Sequence, residues 1–263
     1  MKELLVIKVG GNVIDDAEKL NPFLKKFSVI SSPKILVHGG GKLATDLSEK
    51  LGIETKMIDG KRITNEDTLK IVTMVYGGLI NKTIVTKLSA LQINAMGVCG
   101  ADIGLIPAKK REVKDIDYGY VGDVLTDSIP AQRWADLLDK NICPVVAPIT
   151  SDSSGHLLNT NADTIASSIA QALSKIYKVT LVYCFEKDGV LKNPNDESSV
   201  IPIIQPQAYA TLKSEGVISK GMIPKLDNSW EAIKNGVFKV IIGNALQIDE
   251  LIALKSGTQL VLN

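Results

Sequence analysis

Along the chain, short unbroken apolar runs take turns with stretches in which apolar residues recur every three or four positions. The runs at residues 4–9, 34–38, 93–98, 142–148, 178–184, 238–242 and 259–262 predict strands. Their lack of polar alternation marks strands buried on both faces, as in a parallel sheet. The three-to-four spacing predicts helices over 17–27, 42–51, 65–88, 132–138, 164–174, 206–215 and from 218 to 234. In the longest, Leu69, Val72, Tyr76, Leu79, Thr83 and Leu88 keep a broad apolar or neutral face, enough to cover a sheet and a second subunit. Thr64 with Asp67 reads as a capping-box variant opening that helix, and Gly216 as the C′ glycine closing another. Residues 53–58 read as a further strand. Residues 106–127, broken by Asp117-Tyr118-Gly119 and Gly122, read as a β-hairpin insertion. No linker, repeat or low-complexity segment interrupts this alternation, which predicts an α/β protein of one large domain or two fused lobes.

Composition narrows the function classes. With 45% hydrophobic and 22% charged residues in 263, a sizeable core is available and disorder is not expected. A net charge of +1 gives no bulk attraction to nucleic acid or anionic lipid, and 5% aromatics supply few stacking platforms. Cys99, Cys143 and Cys184 lie in or beside apolar runs without CxxC spacing, against a disulfide framework or zinc site and for reduced thiols. No apolar stretch reaches membrane-spanning length, and the run at 4–7 is too short for a signal peptide, so a cytoplasmic location is expected.

The candidate chemistry sits at strand ends. Lys8 stands near the end of the first strand and is followed by Gly10 and Gly11; His38 ends the second and is followed by Gly39-Gly40-Gly41 and a helix. Strand, glycine cluster and helix form an anion cradle, because glycine lets backbone N–H groups approach closely and a helix start leaves them unpaired. Neither GxxxxGK[ST] nor GxGxxG is present. On that segment alone, a lysine snorkelling before an ordinary turn fits Lys8 equally well. His38 is assigned a structural role. Arg62, before the long helix, has the geometry for bidentate carboxylate capture, although its spacing favours a surface ion pair. Asn159-Thr160-Asn161-Ala162-Asp163 puts two carboxamides and a carboxylate at a strand-to-helix junction; one N-cap accounts for one of them and leaves two. Lys225 lies at a helix start, where the dipole disfavours a cation unless an anion accompanies it. Two lysines, a carboxylate and glycine N–H groups suit phosphoryl transfer, which asks for positioning and positive charge more than covalent chemistry.

On Lys8-Val9-Gly10-Gly11, His38-Gly39-Gly40-Gly41, Gly60-Lys61-Arg62-Ile63-Thr64, the Asn159–Asp163 junction and Gly221-Met222-Ile223-Pro224-Lys225, the chain resembles the amino acid kinase family, and within it the acylglutamate branch. The resemblance spans nearly the whole chain. It implies a three-layer αβα sandwich around a mainly parallel sheet, the amino acid kinase or carbamate kinase-like fold. It further implies an N-terminal acylamino-acid-binding and dimerisation lobe (1–175) and a C-terminal nucleotide-binding lobe (176–263). The implied reaction is ATP-dependent phosphorylation of the γ-carboxylate of N-acetylglutamate in arginine biosynthesis. The alternatives are N-succinylglutamate, carrier-linked α-aminoadipate, or a non-catalytic nucleotide binder. Lys8, Lys225 and Asp163 would be catalytic; Gly40, Gly41, Arg62, Asn159 and Asn161 would bind substrate; Gly10 and Gly11 would bind phosphate. Glu186, Lys187, Asp188, Gly189, Val190, Leu191, Val217, Ile218 and Ser219 would line the nucleotide site. Mg2+ would arrive with ATP, with no protein metal ligands. The chain begins at strand one, which implies an arginine-insensitive homodimer. The family pattern is not met at Glu186-Lys187-Asp188-Gly189, where many relatives have Asp-Val-x-Gly, nor at Ile242-Gly243-Asn244-Ala245, which lacks the usual Asp-Gly.

Overall fold

The computed structural model describes residues 1–58, 60–193, 195–218 and 222–262. The chain runs β1 (Glu3–Val9), α1 (Gly11–Ile14), α2 (Ala17–Ser28), β2 (Lys34–His38) and α3 (Gly41–Lys50). A short hairpin, β3 (Met57–Ile58) and β4 (Lys61–Arg62), leads into α4 (Glu66–Val72), which passes through a π-helical stretch, Thr73–Ile80, into α5 (Asn81–Ala90). Next come β5 (Ala95–Val98), the hairpin β6 (Ala108–Lys110) and β7 (Gly122–Val124), α6 (Ala131–Asp139) and β8 (Cys143–Val146). A second hairpin, β9 (Ile149–Ser151) and β10 (Leu157–Asn159), delivers the chain to α7 (Ala162–Leu173). The remainder is β11 (Lys178–Phe185), β12 (Ile203–Ile204), α8 (Pro206–Ser214), α9 (Ile223–Lys234), β13 (Lys239–Asn244), α10 (Ile248–Ile252) and β14 (Thr258–Leu260).

The main sheet has the order β12-β14-β13-β11-β1-β2-β8-β5. Every pairing in it is parallel except β13 with β14. The period-two alternation splits the core between two faces. Leu4, Val6, Ile35, Val37, Val179, Leu181 and Val240 pack under α6, α7, α8 and α9, where Trp134, Ile169, Tyr209 and Trp230 fill the layer. Leu5, Ile7, Val9, Leu36, Val182 and Ile241 pack under α2, the α4–α5 rod and α10, with Phe23, Phe27, Ile84 and Leu251. This is the expected αβα sandwich.

Some expectations are corrected. Residues 53–58 contribute a strand only at Met57–Ile58. Gly52, at φ +70°, closes α3, and the N–H of Ile53 returns to Ser48 O at 2.8 Å, so the segment begins as a helix cap. The long helix is capped by Asn65, whose side chain accepts from Thr68 N, rather than by Thr64. It is π-helical around Gly77 and Gly78, where no side chains resist the wider turn. Gly216 does close α8 as expected, with φ +69° and Val217 N reaching Leu212 O. Among the described residues no helix is long and apolar enough to cross a membrane.

One buried cation fixes the start of β2, and with it the following glycine loop. Lys34 is 6% exposed and its Nζ donates to Phe27 O at 2.9 Å, to Ser28 O at 3.4 Å and to Ile30 O, so it caps the end of α2. Lys34→Met strands those buried carbonyls. It should destabilise the protein by about 1–3 kcal/mol, read as a lower urea midpoint with unchanged slope.

Candidate active site

The parallel sheet defines where a ligand can sit. From β1 the chain crosses to β2 on one side; from β11 it crosses to β12, at the far edge, and then to β13 on the other. The carboxyl ends of β1 and β11 therefore flank a topological switch point, where an open α/β sheet forms its binding crevice. Lys8 alternates with Leu4 and Val6 and so faces the layer of α7 and α9.

There it meets Asp163, in the first turn of α7, with Nζ 2.7 Å from Oδ1; Lys225, in the first turn of α9, places its Nζ 3.1 Å from Oδ2. The three side chains are 14%, 25% and 19% exposed, so the triad is sheltered yet reachable. The Lys225 ammonium also lies 4.9 Å from the centre of the Tyr183 ring, and the Tyr183 hydroxyl donates to Asp163 O at 3.3 Å. Burial pushes the Asp163 carboxyl up, but Lys8 and Lys225 together outweigh it and hold the group below the ordinary carboxylate range. Lys225 is moved below the usual lysine range by burial first and by Lys8, with Asp163 opposing. The anionic partner inferred for a lysine at a helix start is thus Asp163.

Two helix starts follow β1 and β2 at the same edge of the sheet. Gly10 N is committed to Cys184 O at 3.0 Å and Gly39 N to Val9 O at 3.3 Å, so the donor expected at Gly10 is spent on the turn. Gly11, Gly40 and Gly41 open α1 and α3; a Cβ built on Gly11 would stand 3.7 Å from Gly40 N and 3.8 Å from Gly41 N. Their N–H groups thus lie close together at helix starts, where no preceding turn pairs them. Gly40 has φ +143°, and its Cβ would lie 2.1 Å from Ile80 Cδ1, so only glycine fits.

Arg62 closes the far side of the cradle. It is 8% exposed, which overturns the surface ion-pair reading. Its Nη2 donates to Gly41 O and to Thr45 Oγ1, each at 2.8 Å, and its Nη1 to Thr55 Oγ1 at 3.3 Å. These acceptors are neutral, so the buried guanidinium retains its charge for an anionic group. Asn159 Nδ2 donates to Thr64 Oγ1 at 3.0 Å, and Thr64 in turn donates to Arg62 O, which joins the two expected substrate residues. Asn161 is the N-cap of α7: its Oδ1 accepts from Asp163 N and Thr164 N. Its side-chain carbonyl therefore serves the helix, while its Nδ2 stays on the exposed side of the cap.

On the other flank, Glu186 accepts from Asn12 Nδ2 and Lys19 Nζ, each at 2.9 Å, and Lys187 pairs with Glu197 at 2.7 Å. Asp188 Oδ1 accepts from Asn244 Nδ2, and Val190 N donates to Thr258 Oγ1. A Cβ on Gly189 would meet that Thr258 hydroxyl at 2.7 Å. Val190 and Ile218 are core residues, at 1% and 3% exposure, and so shape the loop from below rather than line it. Leu191 and Val217 are half-buried beside them, and Ser219 lies outside the described residues. Asn12, Thr64, Tyr183, Asn244 and Thr258 were not among the candidate site residues; Thr64 was read as a helix cap within its motif, and for Asn12 the position after Gly11 was the available signal. His38 is structural: fully buried, it receives a hydrogen bond from Asn81 at Nε2, its Nδ1 contacts Gly39 O, and burial lowers its pKa to about 4. Among the described residues no cluster of three or more His, Cys, Asp or Glu could hold a metal ion.

The model of the Amino acid kinase family matches residues 3–244. The chain belongs to the amino acid kinase family. It is 55% identical over 266 aligned residues, all of both chains, to an acetylglutamate kinase of Cytophaga hutchinsonii. It is 53% identical to an acetylglutamate kinase of Phocaeicola vulgatus, covering 95% of this chain and 97% of that one. The solved structure of smu.665 from Streptococcus mutans UA159 superposes with a TM-score of 0.80 at 27% identity over the full length of both.

The triad carries a pH signature. A carboxylate held below its unfolded pKa adds stability above that value and loses it as pH falls through the folded one. Asp163→Asn should therefore lower the melting temperature at about pH 7 and leave two sheltered lysines facing each other; the gap to wild type should persist through the ordinary carboxylate range and close only in stronger acid. Thermal melts across that range provide the check.

Proposed function

We propose that the chain transfers the γ-phosphoryl group of ATP to the γ-carboxylate of N-acetylglutamate, an early step of arginine biosynthesis. One observation carries this reading: Asp163 held between Lys8 and Lys225 at the sheet edge from which two glycine-started helices set out. The acetyl group, rather than succinyl or a carrier, is favoured by the names of the full-length relatives.

The roles follow from position. Arg62 and Asn159 hold the α-carboxylate and amide of the acylamino acid, and the Gly40 and Gly41 N–H groups receive its γ-carboxylate. Gly11 donates to the phosphoryl group in transit. Lys8 lies nearest that group, Lys225 nearest the leaving phosphate, and Asp163 keeps both ammoniums in place. A γ-carboxylate oxygen attacks phosphorus while the bond to the bridging oxygen of ADP breaks, and the lysines offset the charge that builds on the oxygens. The acceptor is already ionised at neutral pH, so no general base is needed; His38, neutral and buried, is not asked to act. The loop 186–191 with residues 217 and 218 bounds the nucleotide. Mg2+ arrives on the phosphates: Asp163 is engaged by both lysines, so the crevice suits an ion held by the nucleotide. It would neutralise phosphate charge there. Exposed Met74 and Leu79, with open space above Gly77 and Gly78 on the π stretch, support a homodimer formed along that helix.

A coupled assay with ATP and a panel of N-acyl glutamates and aminoadipates tests this. Turnover is expected with N-acetylglutamate; tight ATP binding without turnover on any member would show a binder instead. Lys225→Ala should cut kcat by about 10²–10³-fold while moving the acylamino-acid KM less than about threefold.

A further inference from the structure

Asp15 is a half-buried acid for which the reaction above has no use. It closes α1, its N–H donating to Gly11 O at 2.8 Å. Both of its carboxylate oxygens are buried, and neither has a hydrogen-bond partner. Its Oδ2 lies 3.6 Å from the point where a Cβ on Gly11 would stand, the same point that is 3.7 Å from Gly40 N and 3.8 Å from Gly41 N. The carboxylate thus shares one small space with the donors at the start of α3, a helix with no acidic residue in its first turn and no side-chain cap. The groups facing it are Lys42 and Asp46 from α3 and Tyr76 from the π stretch, the last bonded to Arg62 of β4. None satisfies its oxygens.

An unpartnered carboxylate beside donors that receive an anion is a conflict. Two anionic groups side by side repel, and the weaker acid is drawn toward its protonated form. A phosphoryl group is the stronger acid, and an acceptor carboxylate must stay ionised to attack. Burial already moves Asp15 toward the neutral form, with Lys42 opposing and Asp46 adding.

We propose that Asp15 is a positioning residue that takes up one proton from solvent when an anion occupies the N–H groups of Gly11, Gly40 and Gly41, and gives it back when the site empties. The neutral acid removes a repulsion and adds an O–H donor to a cradle otherwise lined by N–H groups. This inference rests on the acylglutamate reading of the site.

Calorimetric titration of the full chain with N-acetylglutamate, in buffers of different ionisation enthalpy across about pH 5–8, counts the protons. Wild type should take up as much as one proton per ligand, its Kd weakening up to tenfold per pH unit. Asp15→Asn and Asp15→Ala should take up none, and their Kd should stay flat. Ligand-free melts supply a second readout. A carboxyl with a raised folded pKa gives stability present below its unfolded pKa and lost as pH rises through the folded one. Wild type should therefore melt below Asp15→Asn at about pH 8, with the gap closing toward acid. Equal proton uptake in wild type and natively melting variants, or a melting gap that ignores pH, overturns the proposal alone. No binding of N-acetylglutamate by any of the proteins, with no turnover, overturns the functional reading and this with it.

Discussion

The site depends on one carboxylate standing between two ammonium groups. Lys8 and Lys225 are separated by most of the chain, yet both contact Asp163 from opposite oxygens. At an effective dielectric near 20, each contact at about 3 Å amounts to roughly 5 kcal/mol of gross attraction, much of it offset by desolvation. The lysines are less than one-fifth exposed, so without the carboxylate their mutual repulsion and lost hydration would drive one to deprotonate or swing outward. The consequence is a pair of positive charges at fixed positions before any ligand arrives. Pre-organised charge of this kind is what phosphoryl transfer draws on.

The sheet makes that contact possible. β1 pairs with β2 and β11 in parallel, so the ends carrying Lys8, His38 and Phe185 all emerge on one edge. The reversal of strand order at β1 and β11 opens the gap between the following loops. Asp163 and Lys225 enter from the covering layer, each in the first turn of its helix. For Asp163 the helix dipole is favourable; for Lys225 it is adverse, and the ion pair with Asp163 opposes it. The same edge presents the starts of α1 and α3, so anion donors and cations converge without any long-range conformational requirement.

Much of this was legible in the residues. Continuous apolar runs gave β1, β2 and β11 nearly to the residue, because strands buried on both faces have no polar alternation to blur their ends. Lys225 at a helix start signalled a hidden anion, since a cation there carries a cost that needs an offset. What local pattern could not show is set by tertiary partners. Arg62 reads as a surface cation until Thr45, Thr55 and Gly41 are seen to surround it. Of the two carboxamides at the junction, only the structure shows that Asn161 caps α7 through Oδ1 while Asn159 donates through Nδ2 to Thr64. The supports of the loop at 186–191, Asn244 and Thr258, come from the far end of the chain, where spacing carries no information about Asp188 or Val190.

The charge balance of the crevice ties these parts together. Lys8, Lys225 and Arg62 against Asp163 leave two positive charges in a protein whose total is +1, so the field that draws anions is local. An ionised Asp15 would halve it, beside the helix start to which the proposed reaction assigns the acceptor. A neutral Asp15 restores it, and only once an anion has supplied the reason to take the proton. The cradle can then be moderately positive when empty, which limits self-repulsion among its own groups, and fully positive when filled, which is when phosphorus migrates. A permanently neutral residue at position 15 would lack that response, and a permanently charged one would oppose the reaction; an unpartnered, buried carboxyl is the group whose charge can follow the ligand.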